Sequence, residues 1–285
     1  LSAAGLARAG HTVQCADITP GNVSALDEPD VDVVFIALHG AFGESGEVQQ
    51  LCENRGLAYT GSGPFASRLG LDKAAAKQLF KRVAGLATPD WMILEEFHAQ
   101  KLVRRWLAEL ALPVVVKPVD GGSSVDVTIA RTADQRDDAI EDLFDTYGRA
   151  MVERYVQGRE LTVGILGDRA LPVLEVIPAE EFYTYHAKYA DEADTRYEFD
   201  LGLDAETAAG IQDAALRAHQ ALGCRDFSRV DFLLDRDGVP QVIEINTIPG
   251  FTSHSLLPKA AAREGIDFPE LTDRIIAVLE WRDGT

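Results

Sequence analysis

Between residues 229 and 250 the chain reads Arg229-Val-Asp231-Phe-Leu-Leu-Asp-Arg-Asp-Gly-Val-Pro-Gln-Val-Ile-Glu244-Ile-Asn246-Thr-Ile-Pro-Gly250, two strand-like runs around an acidic, Gly-containing turn. On a strand, residues two apart share a face, so Arg229 and Asp231 point one way while Val230 and Phe232 point the other. Glu244 and Asn246 likewise oppose Ile243 and Ile245. A loop with an even number of residues puts Asp231 opposite Val242 and Glu244 diagonally across, at roughly 7–8 Å between backbones. Asp231, Glu244 and Asn246 then offer two carboxylates and an amide oxygen to one spot. Such hard oxygen donors suit Mg²⁺, which is held by one or two carboxylates plus substrate phosphates. The competing reading is a solvated sheet face, on which Asp and Glu are common.

Lys117 ends the apolar run Pro-Val-Val-Val-Lys-Pro. Facing inward it must find an anion, and a nucleotide phosphate is one; otherwise it simply emerges at the strand end. Gly121-Gly122-Ser123-Ser124 follows, a loop whose N–H groups and hydroxyls suit phosphate oxygens, although the motif alone is a weak signal. In Met151-Val-Glu153-Arg154-Tyr155-Val156 a strand runs out into Gln-Gly, so its backbone could meet an adenine edge with Tyr155 beside the ring; an ordinary sheet strand with surface charges is the alternative. His39 stands where another apolar run meets Gly40, and a satisfied histidine at a strand end is its bland explanation.

The elements that must hold these residues follow from periodicity. A short helix over residues 1–9, a strand over 11–15, a central parallel strand over 31–38 and a helix over 47–56 give the alternation of a doubly wound α/β domain, expected to span residues 1–71. Such a sheet normally starts with a strand, so a segment upstream of Leu1 is expected. Leu71-Asp72-Lys73 opens a helix reaching residue 83. A central α+β unit over 72–159 is expected to contain a helix at 98–110, strands at 114–117, 125–130 and 150–156, and a helix at 133–147. A last unit over 160–285 is expected to have strands at 161–166 and 173–177, a helix at 205–222, the acidic-turn hairpin and a final helix. Between them, residues 182–199 carry six aromatics among charges, which is too rich for an idle connection and suggests a lid.

The 285-residue chain is long enough for two or three domains, and its 46% hydrophobic content is that of a globular protein. A formal charge of −19 argues against nucleic acid or an anionic membrane as partner, since both need a basic surface. No apolar run approaches a membrane span and the opening residues lack the core of a secretory signal, so a cytoplasmic protein is expected. Cys15, Cys52 and Cys224 are far apart and without Cys-x-x-Cys spacing, which indicates neither a disulfide framework nor a zinc site.

Taken in order, Leu38-His39-Gly40 with Glu44, Tyr59-Thr-Gly-Ser-Gly, Leu71-Asp72-Lys73, Val-Lys117-Pro with Gly-Gly-Ser123-Ser-Val, Tyr185-His-Ala-Lys188-Tyr189, Arg229-Val-Asp231, Glu244-Ile-Asn246-Thr-Ile-Pro-Gly250 and Thr252-Ser-His-Ser255-Leu256 resemble the ATP-grasp enzymes, and within them the D-alanine–D-alanine ligases. The resemblance runs over nearly the whole chain. It implies an ATP-grasp fold preceded by a Rossmann-like domain, and ATP-dependent joining of two D-alanines for peptidoglycan precursors. By the same resemblance Lys73, Lys117 and Lys188 meet the phosphates of ATP, with Ser123 near them. Glu153, Arg154, Tyr155, Val156, Glu160, Phe182 and Ile243 surround the nucleotide. Asp231, Glu244 and Asn246 hold two Mg²⁺ or Mn²⁺ ions. Arg229 and the Gly250 N–H stabilise the oxyanion, and Tyr189 joins Ser123 in a hydrogen-bond chain. His39 and Glu44 match the first-substrate side, Ser255 and Leu256 the second, and a homodimer is implied.

Three positions depart from the family pattern. The chain starts beyond the family's leading strand and Glu-bearing loop, Asp126 stands where Gly is usual, and Arg154 replaces Lys. Two alternatives follow: a ligase using D-lactate or D-serine as second substrate, against which Tyr189 speaks because D-lactate-using relatives lack it, and a nucleotide-binding protein without catalysis.

Overall fold

A computed structural model of the chain describes residues 2–98, 105–108, 110–122, 125–178, 195–252 and 254–283. Helix α1 (Ser2–Arg8) packs on the last helix of the chain, with Gly5 against Phe268 and Thr272. Residues 11–15, expected as a strand, form none; instead the His11 ring bonds Asp273 at 2.9 Å. The long apolar run expected as a central strand is reduced to β1 (Val33–Val34). Its ladder ends early because the Ile36 N–H donates to the Thr60 hydroxyl (3.1 Å) rather than to backbone. Helices α2 (Ala41–Glu44) and α3 (Glu47–Glu53) then lead to β2 (Ala58–Tyr59), which pairs parallel with β1. The crossover expected of a doubly wound unit is therefore present, with a much shorter sheet.

Helix α4 (Pro64–Leu71) starts with proline in its first turn, where the missing N–H costs nothing. Helix α5 (Lys73–Arg82) follows at once because Asp72 caps it, its carboxylate accepting the Ala75 N–H at 2.9 Å. The buried residues of α5 are Lys73, Ala76, Lys77 and Phe80, one stripe at helical spacing that includes two lysines.

The next sheet has the order β3-β6-β4-β5. Strand β3 (Trp91–Glu95) was not expected from the sequence; it is an edge strand that pairs antiparallel with β6. Strand β4 (Val114–Lys117) agrees with expectation, β5 (Thr128–Ala130) is shorter than expected, and α6 (Ala133–Tyr147) has the expected bounds. Strand β6 (Arg149–Arg154), expected to reach residue 156, ends on the adenine-edge candidates Glu153 and Arg154, with Tyr155 and Val156 just beyond it. Helix α6 begins with a capping box between Thr132 and Gln135. Of the expected helix at 98–110, residues 105–107 are helical and much of the remainder lies outside the described residues.

The larger sheet contains β7 (Gly158–Leu166), β8 (Arg169–Ala170), β9 (Leu174–Ile177), β10 (Arg196–Glu198), β11 (Phe227–Asp235) and β12 (Pro240–Asn246), in the order β10-β9-β7-β11-β12 with β8 on β7. Strand β7 therefore begins two residues before the boundary expected at 160. The end of the aromatic segment expected as a loop is a strand, β10; residues 179–194 lie outside the described residues. Helix α7 (Ala205–Ala221) and α5 cover one face, where Phe80, Ile211 and Ala215 meet Val163, Val230 and Val242. Helices α8 (Leu256–Arg263) and α9 (Phe268–Asp283) cover the other, where Leu257 and Ile275 meet Leu166 and Phe227. Phe227 shares its face with Arg229 and Asp231 by strand alternation, so these polar residues emerge just beyond the cover of α8.

Candidate active site

The hairpin register differs from the sequence expectation. A tight turn at residues 235–239 pairs Phe232 with Val242, and a bulge then shifts the ladder so that Asp231 lies directly opposite Glu244 and Arg229 opposite Asn246. Opposite residues stand closer than the diagonal pair expected, at about 4.5–5.5 Å between Cα atoms. The bulge has a second consequence. Ile243, expected on the core face, is released from the alternation and lines a cavity beside Glu244, while Val242 and Ile245 stay buried.

Two cavities adjoin at this place. A polar one is bordered by His39, Glu44, Arg229, Asn246, Gly250 and Ser255, with Leu256 also on its wall. A more apolar one is bordered by Val115, Lys117, Tyr155, Val156, Glu160 and Ile243, with Glu153 and Arg154 also contributing. Lys73, Gly121, Gly122 and Glu244 line both. Most of the sequence-derived candidates thus converge on one cleft, with the doubly shared residues at the junction. Asp231 borders neither cavity but touches Arg229, which does. Ser123, Phe182, Lys188 and Tyr189 lie outside the described residues.

Within the polar cavity, Arg229 grips Asp231 by a two-pronged contact, Nε to Oδ1 at 2.8 Å and Nη2 to Oδ2 at 2.7 Å. Thr162, opposite Asp231 on β7, donates its hydroxyl to Oδ1 at 2.6 Å. The guanidinium is thereby held in one plane, a prerequisite for a fixed oxyanion donor. On the opposite wall Gly40, at φ +83°, turns its N–H to Glu44 Oε1 (3.1 Å), and His39 Nδ1 is 3.9 Å from the same oxygen. Burial raises the Glu44 carboxyl above its usual range, although the Gly40 N–H and His39 work against it. Gly122 sits so close that a Cβ there would come within 3.2 Å of Glu44 Oε2. Glycine is what lets the phosphate-type loop approach this wall. The Ser255 hydroxyl accepts the Thr252 N–H at 3.0 Å and shares a hydrogen with the Thr252 hydroxyl.

At the junction, Lys73 occupies the first turn of α5, where the helix dipole disfavours a cation. It is held there by a hydrogen bond to the Gly121 carbonyl, with Glu244 Oε2 4.0 Å from Nζ. The N-terminal N–H groups of α5 are taken up by the Val119 carbonyl and the Asp72 cap, so the Lys73 ammonium is the cationic group that this helix presents at the junction of the cavities. Among the described residues no group of three His, Cys, Asp or Glu side chains forms a metal cluster. The hard-donor set here is two carboxylates and the Asn246 amide oxygen, which also accepts the Ile248 N–H at 2.9 Å. Asp231 has both oxygens on Arg229 and Thr162 and stands behind the cavity wall, so Glu244 and Asn246 are the donors that face the cavity, a set within the one or two carboxylates that Mg²⁺ takes beside water and phosphate oxygens.

In the apolar cavity Glu153 is buried, with Lys117 Nζ 2.5 Å from Oε2 and Lys77 Nζ 3.1 Å from Oε1. Burial would push this carboxyl up, but the two ammonium groups outweigh it and hold it below the usual carboxylate range. Asp126, the departure in the loop, has φ +54° and accepts the Tyr147 hydroxyl at 2.6 Å, which ties its charge to the end of α6. Sequence reasoning missed Lys77, Thr162 and Thr88. Lys77 had a readable signal, a lysine on the apolar stripe of α5; Thr162 had none, since only the β7–β11 register brings it to Asp231.

Comparison with known proteins bears on the family and the fold. The family model for the D-ala D-ala ligase C-terminus matches residues 79–277, and that for the N-terminus matches residues 12–62. A D-alanine–D-alanine ligase of Anaeromyxobacter sp. (strain Fw109-5) is 42% identical over 94% of this chain and 86% of its own. Among solved structures, the ATP-complexed D-alanine–D-alanine ligase of Bacillus anthracis superposes with a TM-score of 0.78 at 34% identity, covering 90% of this chain and 81% of its own. A D-Ala:D-Ser ligase of Enterococcus faecalis gives 0.79 at 33% identity over 87% of this chain and 73% of its own. With a fold of the ATP-grasp type and matches spanning nearly its whole length, this chain belongs to the D-alanine–D-alanine ligase family.

Proposed function

We propose that the protein is an ATP-dependent ligase that joins two D-alanines for peptidoglycan precursor synthesis. The observation that carries the reading is the pair of adjoining cavities, one apolar and one polar, that share Lys73, Gly121, Gly122 and Glu244. A nucleotide base suits the apolar side, amino-acid substrates suit the polar side, and the transferred phosphoryl group belongs at the junction. Glu153, Arg154, Tyr155, Val156, Glu160 and Ile243 enclose the nucleoside in this reading, with Phe182 added from the sequence. Lys73 and Lys117, with Lys188, hold the phosphates.

The carboxylate of the first D-alanine, bound near His39 and Glu44, attacks the γ-phosphorus and forms an acyl phosphate while ADP leaves. The amine of the second D-alanine, whose carboxylate is received near Ser255 and Leu256, attacks the carbonyl carbon. Inorganic phosphate departs and the amine loses a proton. Arg229 and the Gly250 N–H stand where charge gathers on the carbonyl oxygen, with Ser123 and Tyr189 assigned to the same step. Asp231, Glu244 and Asn246 are the residues that would hold two Mg²⁺ or Mn²⁺ ions, which neutralise phosphate charge when bound. A cytoplasmic location, a homodimer and a division into units 1–71, 72–159 and 160–285 are part of the same proposal; no helix of the described residues is long and apolar enough to cross a membrane.

The test is coupled ADP release with D-alanine, D-serine and D-lactate as separate second substrates. D-alanine-dependent turnover is expected, with D-alanyl-D-alanine as product. ATP binding without any D-alanine-dependent turnover would instead establish a nucleotide-binding protein.

A further inference from the structure

Lys77 is fully buried, and a buried ammonium is costly unless its hydrogens are used. It donates to the Thr88 hydroxyl at 2.6 Å and to Glu153 Oε1 at 3.1 Å, and it lies 5.2 Å from the centre of the Trp91 ring. The Thr88 hydroxyl in turn donates to the carbonyl of Val242 at 2.8 Å, one residue before the bulge. Lys77 is thereby fixed to β6 of one sheet and, through Thr88, to β12 of the other. Lys117 reaches the same carboxylate from the cavity side. Its Nζ stands 2.5 Å from Oε2 in an ion contact, yet Oε2 accepts no well-directed hydrogen bond among the described residues. Lys117 and Glu153 line the apolar cavity, whereas Lys77 does not. One buried carboxylate therefore has two ammonium partners, one anchored in the core and one at the cavity wall.

We propose that Lys77 is a positioning residue for nucleotide binding: it is the permanent counter-ion of Glu153, and it allows Lys117 to turn to a phosphate oxygen without leaving a buried anion unpaired. This role rests on the reading that ATP occupies the apolar cavity. Burial also lowers the Lys77 pKa to about 8, against the pull of Glu153 and in concert with Lys117; the other charges near it are Asp90, and Lys81 over the same Trp91 ring. Its charge is thus available at neutral pH and lost in mild alkali.

The test compares the full chain with Lys77→Met, in which the Lys117–Glu153 pair remains neutral and the apolar stripe of α5 is kept. In this variant, turning Lys117 to phosphate forces Glu153 to take up a proton. ATP affinity with Mg²⁺ is expected to fall roughly 10- to 100-fold. Calorimetry in buffers of different ionisation enthalpy should register proton uptake on binding, and lowering the pH should recover affinity. KM for D-alanine should change less than about twofold. Lys77→Met/Glu153→Gln, with no anion to strand, should bind ATP without proton uptake. The wild type offers a second measurement that needs no variant: its ATP affinity should weaken as pH rises through about 8. Wild-type affinity that is flat through that pH, or a Lys77→Met protein that binds ATP as the wild type does without proton uptake, overturns the role of Lys77. Equal losses in ATP and D-alanine KM overturn it too, because they mark a purely structural residue. If the wild type binds no ATP at all, the reading of the cavity fails first.

Discussion

The two cavities meet at Lys73 and Glu244, but they hold their charges differently. Along the polar cavity Arg229, on its wall, and Asp231, behind it, are 13% and 22% exposed, and Glu244, at the junction, is 25% exposed. Around the apolar cavity Lys77, Glu153 and Lys117 are 0%, 3% and 6% exposed. Partly solvated charges are replaceable for folding and costly for chemistry, whereas buried ones couple the two, since an unpaired buried ion must be desolvated without compensation. Neighbouring residues of the two cavities should therefore fail in different ways when altered.

The largest effect is expected from Glu153→Leu, which leaves Lys77 and Lys117 as buried cations without their anion. Unfolding in urea should show a loss of about 3–5 kcal/mol, and a loss below 1 kcal/mol would mean that water reaches the pair and that the contrast between the cavities is false. Glu244→Gln probes the other side. Turnover should fall by roughly 10²–10³-fold while the unfolding midpoint without nucleotide stays within a degree or so of wild type, because the amide keeps the shape and loses the charge. A large drop in midpoint would make Glu244 a structural residue.

His219 provides a comparison away from both cavities. It is buried on α7 with Nδ1 2.7 Å from the Ser228 hydroxyl, and burial lowers its pKa to about 4. A histidine depressed in the folded state is neutral there while the unfolded chain binds a proton below about 6.5. Stability is therefore complete above the unfolded value and is lost as pH falls from about 6.5 to about 4, by up to about 3 kcal/mol. His219→Gln should flatten that slope in urea unfolding and leave turnover at neutral pH within about twofold. An unchanged slope would place the acid sensitivity elsewhere. The smallest effect is expected at the exposed Tyr147–Asp126 bond, where Tyr147→Phe should cost less than about 1 kcal/mol. If ATP affinity also falls by more than about threefold, the tie from loop to α6 serves nucleotide binding as well as local order.

The amino-acid sequence on its own specified the local elements whose signals are local. The helix over residues 133–147 was legible with its bounds, Leu71-Asp72-Lys73 marked the start of α5, and the alternation from Arg229 to Phe232 set which face of β11 is core. It also supplied the residue types of the cleft, because the order of short motifs along the chain can be matched to a family pattern without reference to any contact. Three features were decided only by tertiary structure. The length of β1 depended on a partner, and Thr60 took the Ile36 N–H that a longer ladder needed. The pairing of Asp231 with Glu244 depended on a bulge, which no period-two pattern can announce because the pattern is what the bulge interrupts. Lys77, on an otherwise apolar helix stripe, is tolerable only because Glu153 and Thr88, far away in sequence, arrive in the core beside it; burial makes such a charge possible only through partners that folding alone brings together.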